Sequence, residues 1–280
     1  MSQVPPEVLR CVGFLLPRKD ADPDATAFFV RIHIDDPAYD QAISGVYAVT
    51  AKHTLKKYVD EEASDEAWIR LNKKAGGVDH VVTKIADWRF HDNADVAIYF
   101  WPKSHHFDIK PFPIRKHLID DIIQEWGVGP GDEVFLSGLF WQHVGHTKNA
   151  PIIRTGNIAA MRGDKIHTTN YGAMDAYLIE VRSVGGLSGS PVFFNGSGVR
   201  NMSVPAISFG GRPLPSRIEK RMIAQGFFLM GLVHGHYSEH ARRIDGVEDV
   251  INSGVAIVVP ADKILELILH PDEVARRITL

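Results

Sequence analysis

Apolar residues in this chain fall in short runs punctuated by glycine, proline, aspartate and lysine, not in long amphipathic stretches. Val12–Pro17, Ala27–Ile34, Gly45–Thr50, Ala67–Asn72, His80–Trp88 and Val96–Trp101 have the length and the β-branched or aromatic content of strands. The period then changes. Between residues 114 and 126 the apolar positions Leu118, Ile119, Ile122, Ile123 and Trp126 recur at helical spacing. The turn Gly129-Pro130-Gly131-Asp132 opens a second set of strand-like runs: Glu133–Phe140, Ile152–Met161, Ala176–Val181, Pro191–Phe194, Phe227–Val233 and Val255–Val259. After Pro260 the helical spacing returns over 261–269 and predicts a closing helix. Each set is a barrel's worth of strands. The expected organisation is an N-terminal barrel over 1–112, a linker with a short helix over 113–130, and a C-terminal barrel with its helix over 131–280. Residues 195–225, rich in Gly, Ser, Pro and Arg, read as a long loop between two strands of the second barrel, either a lid or substrate contact or a solvated variable loop.

One stretch stands out from this background. Gly185-Gly186-Leu187-Ser188-Gly189-Ser190-Pro191 sets a serine among glycines, where the backbone bends sharply and its N–H groups lie bare. A serine hydroxyl is a weak nucleophile, so it needs a base for its proton and N–H donors for the oxyanion it creates. The amides of Gly186 and Ser188 are the candidate donors, and one such contact is worth about 3 kcal/mol in the transition state. His53, closing Val49-Thr50-Ala51-Lys52-His53, is the candidate base, and Asp95, in Asn93-Ala94-Asp95-Val96-Ala97-Ile98, the carboxylate that orients it. Asp87 and Asp92 compete with Asp95, which is favoured because an apolar strand follows it directly. Lys52 and Lys56 read as solvated charges. An α/β-hydrolase elbow fails on detail, because it needs glycine where Ser190 stands.

The order His, Asp, Ser, with spacings of 42 and 93 residues, is that of the chymotrypsin-like double barrel. Val49–His53, Asp95–Ile98 and Gly186–Pro191 resemble the Thr-Ala-Ala-His, Asp-Leu-Ala-Leu and Gly-Asn-Ser-Gly-Ser-Pro motifs of the trypsin-like serine peptidases, especially the bacterial branch that includes the glutamyl endopeptidases and the high-temperature-requirement proteases. Gly231–His236 and Gly254–Pro260 resemble the last strands of that family's second barrel. The resemblance implies an all-β fold of two six-stranded antiparallel barrels, the active site between them and a C-terminal helix. It implies a serine endopeptidase acting on protein or peptide substrates through an acyl-enzyme at Ser188, without metal or organic cofactor. The family's specificity pocket maps onto Arg182, Ser183, His234, Gly235 and His236. His234 falls one place away from the glutamyl endopeptidases' acid-reading histidine, and has a second reading as the residue that supports the catalytic Asp. Leu187 stands where zymogens carry an Asp that pairs with a newly cut N-terminus, so no activation by trimming is expected.

Composition narrows the setting. The chain has 280 residues, is 45% hydrophobic and carries a formal charge of −3, with no basic stripe, which argues against nucleic acid as the main partner. The single cysteine, Cys11, and an N-terminus without a basic-then-apolar leader point to a cytoplasmic setting, and no run is long enough to span a bilayer. A cytoplasmic peptidase needs restraint, which makes a regulatory protein partner an expectation. The pairs His105–His106, His143–His146 and His234–His236 lack the Cys pairs or His-Glu-x-x-His pattern of zinc sites. The alternative from another class is a catalytically silent barrel used for binding or scaffolding.

Overall fold

A computed structural model describes residues 4–34, 43–102, 105–168, 172–182, 185–205, 217–224, 226–242 and 248–279. The first unit holds strands β1 (Val12–Leu16), β2 (Ala25–Ile34), β3 (Ile43–Thr50), β4 (Glu66–Asn72), β5 (Val78–Lys84), β6 (Arg89–Phe90), β7 (Ala97–Phe100) and β8 (Phe112–Pro113). They form an eight-stranded sheet in the order β5-β4-β1-β2-β3-β7-β6, with the short β8 running parallel to β2. This sheet is an open half-barrel.

The second unit holds β9 (Glu133–Gly138), β10 (Ile152–Ala160), β11 (Ile166–Thr168), β12 (Gly172–Met174), β13 (Tyr177–Glu180), β14 (Pro191–Asn195), β15 (Gly198–Pro205), β16 (Arg217–Ala224), β17 (Phe227–Arg242) and β18 (Glu248–Pro260). Six of them close a barrel, β10-β13-β18-β17-β14-β9, while β11–β12 and β15–β16 pair as separate hairpins. The helices are α1 (Pro6–Arg10), α2 (Lys52–Asp60), α3 (Asp120–Trp126), α4 (Ala261–Ile268) and α5 (Pro271–Thr279). Among the described residues no helix is long and apolar enough to cross a membrane.

The near-continuous apolar runs of β2 and β3 follow from burial on both faces. Successive side chains of a strand point to opposite sides. Phe28 and Val30 of β2, with Tyr47 and Val49 of β3, therefore join a core shared with Phe135, Phe193 and Leu232 of the second unit. Ala27, Phe29 and Ala48 point the other way, into the first unit's own core with Leu55, Tyr58 and Trp88. The second barrel is filled by a third cluster that includes Val134, Tyr177, Leu187, Val192 and Val258. The shared layer holds the two units together.

The linker is anchored, since Leu118 donates its amide to the Leu229 carbonyl of β17 (2.8 Å). The C-terminal segment, assigned to the second barrel from sequence, packs back on the first unit. Arg89 donates to Glu273 (3.2 Å), Tyr47 to Glu273 (3.3 Å), and the guanidinium of Arg277 to Tyr47 Oη (2.5 Å).

Three elements depart from the sequence reading. Helix α2 follows β3 directly and places His53 in its first turn; at nine residues, burying Thr54, Leu55 and Tyr58, it is too short to show a period of its own. The His80–Trp88 run is β5 followed by a 3-10 turn over Ile85–Asp87. The presumed loop 195–225 contains the β15–β16 hairpin, whose register runs from Gly198 opposite Ala224 to Pro205 opposite Arg217. Its strands carry too many charged and polar residues to register as apolar runs, and residues 206–216 lie outside the described ones.

Candidate active site

The candidate base and acid come from the adjoining ends of two paired strands of the first unit, His53 just after β3 and Asp95 just before β7. Asp95 sits in the bend before β7, between Ala94 and Val96, both buried in the shared core, and is itself fully buried. His53 is held to it twice: its backbone amide donates to Asp95 Oδ1 (2.8 Å) and its ring Nδ1 lies 2.6 Å from Oδ2. Neither Asp87 nor Asp92 takes that position. The bend is braced from α2 by Lys52, whose ammonium donates to the carbonyls of His91 (2.5 Å) and Asp92 (3.4 Å). Lys52 is 7% exposed, so the solvated charge expected from sequence is a buried tie between the base and acid segments.

The same carboxylate carries a second imidazole. His234 Nδ1, on β17, lies 2.5 Å from Asp95 Oδ2, and the His53 and His234 rings meet edge to face with centroids 5.2 Å apart. Burial alone would raise the Asp95 pKa, but hydrogen bonds from His234 and His53 outweigh it and hold the carboxyl well below its ordinary range. With Nδ1 facing Asp95, the ring nitrogen of His53 that would exchange a proton with a serine is Nε2.

Thr26 fastens the serine turn to the first unit. Its amide donates to the Ser188 carbonyl (3.0 Å) and its hydroxyl to the Gly186 carbonyl (2.9 Å), and the Leu139 amide donates to that hydroxyl (3.0 Å). Within the turn the Ser190 amide donates to Leu187 (2.9 Å), and the Gly189 amide reaches across to Val233 (2.8 Å). Gly186 and Gly189 have φ of +91° and +80°, a region that favours glycine. Leu187 is buried in the second core. Among the described residues neither the Gly186 nor the Ser188 amide donates to an acceptor, as an oxyanion site requires.

The candidate nucleophile is turned aside. Ser188 Oγ donates to the backbone carbonyl of His234 at 3.3 Å, a long O–H···O bond, and among the described residues it makes no hydrogen bond to His53. Rotation about χ1, between staggered wells, redirects that hydroxyl.

Of the residues assigned to a specificity pocket, Arg182 and His236 are exposed and Gly235 is half-buried, while Ser183 lies outside the described residues. The His234 ring, 11% exposed, faces Asp95. Thr26 and Lys52, and Thr50 whose hydroxyl donates to the Thr26 carbonyl (2.8 Å), support the candidate site and were missed by sequence reading, because a threonine or lysine beside a strand end carries no signal of its own. Among the described residues one grouping has the reach to ligate a metal, namely His53, Asp95 and His234, whose ligand atoms lie within 4.8 Å of one another. Both Nδ1 atoms are engaged with Asp95, so a cation would have to displace two hydrogen bonds.

A half-barrel packed on a closed six-stranded barrel, with a His–Asp pair on one and a glycine-bound serine on the other, is the fold of the trypsin-like serine peptidases. Among solved structures the chain is similar to the MamO protease domain of Magnetospirillum magneticum, with 15% identity, a TM-score of 0.53, and coverage of 95% of this chain and 99% of that one. It is also similar to Deg5, with 12% identity, a TM-score of 0.47, and coverage of 94% and 91%. No protein-family model and no curated protein matches the sequence.

Proposed function

We propose that this protein is a serine endopeptidase that hydrolyses peptide bonds of protein substrates through Ser188, His53 and Asp95. The observation that carries the reading is the buried Asp95 carboxylate gripping both the backbone and the ring of His53, beside a glycine turn that offers Ser188 and two amides with no acceptor among the described residues. In the reaction Ser188 Oγ attacks the carbonyl carbon while its proton passes to His53 Nε2. The Gly186 and Ser188 amides receive the oxyanion, and His53 returns the proton to the leaving amine as the C–N bond breaks. Water then attacks the acyl-enzyme with His53 again as base, releasing the acid product and restoring the serine. The fold and the three residues need no metal or organic cofactor for these steps. A cytoplasmic setting and a regulatory protein partner belong to the same proposal. They rest on the lone buried Cys11 and on Leu187, which occupies the place of an N-terminus-binding acid.

A second reading is favoured by one observation: Ser188 bonds to the His234 carbonyl and not to His53, which suits a catalytically silent binding module. Digestion of a mixed peptide library separates the two. An endopeptidase yields internal cleavage products that disappear in Ser188→Ala; a silent module yields none in either protein.

A further inference from the structure

Beside the serine turn, and apart from the triad, lies a cleft of about 740 Å³. Both units wall it: the hairpin between β1 and β2 that carries Asp22, Arg70 of β4, His80 of β5, and the connection from β9 to β10 that carries Trp141, His143 and His146. Its place relative to Ser188 follows from strand order. β14, which leaves the serine turn, has β17 on one side and β9 on the other. His234 and His236 stand on β17, whereas the Trp141 connection follows β9, so the cleft flanks the nucleophile on the side away from His234–His236. The contact with the turn is direct: a Cβ on Gly185 would sit 3.7 Å from Trp141 Cδ1, and Trp141 is 59% exposed.

The charge in the cleft is unbalanced. Arg70 is 7% exposed, and its guanidinium donates to Asn149 Oδ1 (2.6 Å) and to the carbonyls of Gly145 (2.7 Å) and His146 (3.3 Å). All of these acceptors are neutral. Among the described residues no carboxylate forms an ion pair with Arg70, and its Nε–H and one Nη1–H make no hydrogen bond to a described residue. A cation drawn out of water ordinarily has a counter-charge. Burial pushes the Arg70 pKa down with no acid to oppose it, and the Arg70 charge adds to the burial that lowers the pKa of His80. Asp22, the acid in the lining, is exposed.

We propose that this cleft receives an acidic side chain of the substrate, on the leaving-group side of the cleaved bond, with Arg70 as its ion-pair partner and Trp141 as the apolar rim. The inference rests on the endopeptidase reading. An extended chain advances about 3.3–3.6 Å per residue, so the second or third residue past the bond comes about 7–11 Å beyond Ser188. A glutamate or aspartate there brings its carboxylate to Arg70 while the backbone crosses Trp141.

The test compares matched peptides carrying Glu or Gln at the second and third positions past the cleaved bond, the bond itself being set by the mixed-library digest. The wild type is expected to cleave the Glu peptides with a kcat/KM at least about tenfold higher, the scale of one charge-assisted pair. Because Arg70 also holds the 145–149 segment, two variants are used: Arg70→Gln, which removes the charge, and His143→Glu, which places an exposed acid in the cleft. Both should bring the Glu-to-Gln ratio toward one. Inorganic phosphate should compete against the Glu peptides and not the Gln peptides. Cleavage with equal rates for Glu and Gln overturns the cleft proposal and leaves the endopeptidase reading standing. Phosphate binding that depends on Arg70, seen as a thermal shift without any Glu preference, makes the cleft a free-anion site and also overturns it. Absence of any cleavage overturns the endopeptidase reading, and this inference with it.

Discussion

Asp95→Asn is expected to lower kcat/KM by roughly 10⁴-fold while preserving side-chain volume. The wild-type carboxylate accepts from the His53 amide, the His53 ring and the His234 ring at once. An asparagine has one acceptor oxygen, and its amide nitrogen can only donate. Both rings face Oδ2 and the His53 amide faces Oδ1, so the asparagine nitrogen opposes either the two rings or that amide; where it opposes the rings, His53 Nδ1 must accept, its Nε2 carries the proton and it cannot take another from Ser188. Steady-state kinetics on a library-derived peptide reads this directly. The same substitution alters how stability depends on pH. The folded-state pKa of Asp95 lies below the ordinary value of 3.8, so its stabilising contribution is complete above that value and is lost as pH falls toward the lower folded one. Urea unfolding midpoints should show the wild type losing stability below about pH 4, with a shallower loss in Asp95→Asn. Parallel curves for the two proteins would contradict the shared-carboxylate geometry.

Gly189→Ala is expected to destabilise the protein by about 3 kcal/mol or more and to abolish turnover. The residue has φ of +80°, which costs an alanine about 1–2 kcal/mol before any contact is counted. Its Cβ would then lie 2.2 Å from the Thr26 carbonyl oxygen and 2.5 Å from Thr50 Oγ1. That carbonyl already accepts the Thr50 hydroxyl at 2.8 Å within strand β2, so the serine turn and not the strand has to move. Displacement of the turn carries Ser188 and the two candidate oxyanion amides with it. Gly185→Ala is the matched control: its nearest neighbour would be Trp141 at 3.7 Å, an ordinary contact, and its melting temperature should stay within the change expected for about 0.5 kcal/mol. Equal melting temperatures for the two variants would contradict the close approach of the turn to Thr26.

How legible this fold and site were depended on the kind of signal each residue leaves. Strands buried on both faces read as apolar runs, so β1, β2, β3 and the barrel strands were visible, and the strand after Asp95 separated it from Asp87 and Asp92. Local polar segments were not. The β15–β16 hairpin is held by its own ladder and carries polar residues that also suit a loop. α2 is placed by the burial of Leu55 and Tyr58 against the first sheet, a tertiary effect that one window of sequence does not contain. The staple from Thr26 to the serine turn joins residues 160 apart, and the clamp from Lys52 to His91 spans 39. Each depends on which strand ends meet once the two units close on the shared core. The role of His234 lay between these extremes. Its place on the strand raised the supporting reading beside the substrate-reading one, and only the position of Asp95 at the barrel junction shows that its ring faces the carboxylate.

The central claim is that Ser188 is a nucleophile activated by His53, although its hydroxyl rests on the His234 carbonyl in this structure. Incubation with a fluorophosphonate, which phosphonylates activated serines, followed by intact mass and peptide mapping, tests this most directly. The account predicts a single adduct on Ser188 in the wild type, none in Ser188→Ala and strongly slowed labelling in Asp95→Asn. Folded wild-type protein that takes up no probe, or takes it up equally well in Ser188→Ala, would contradict it.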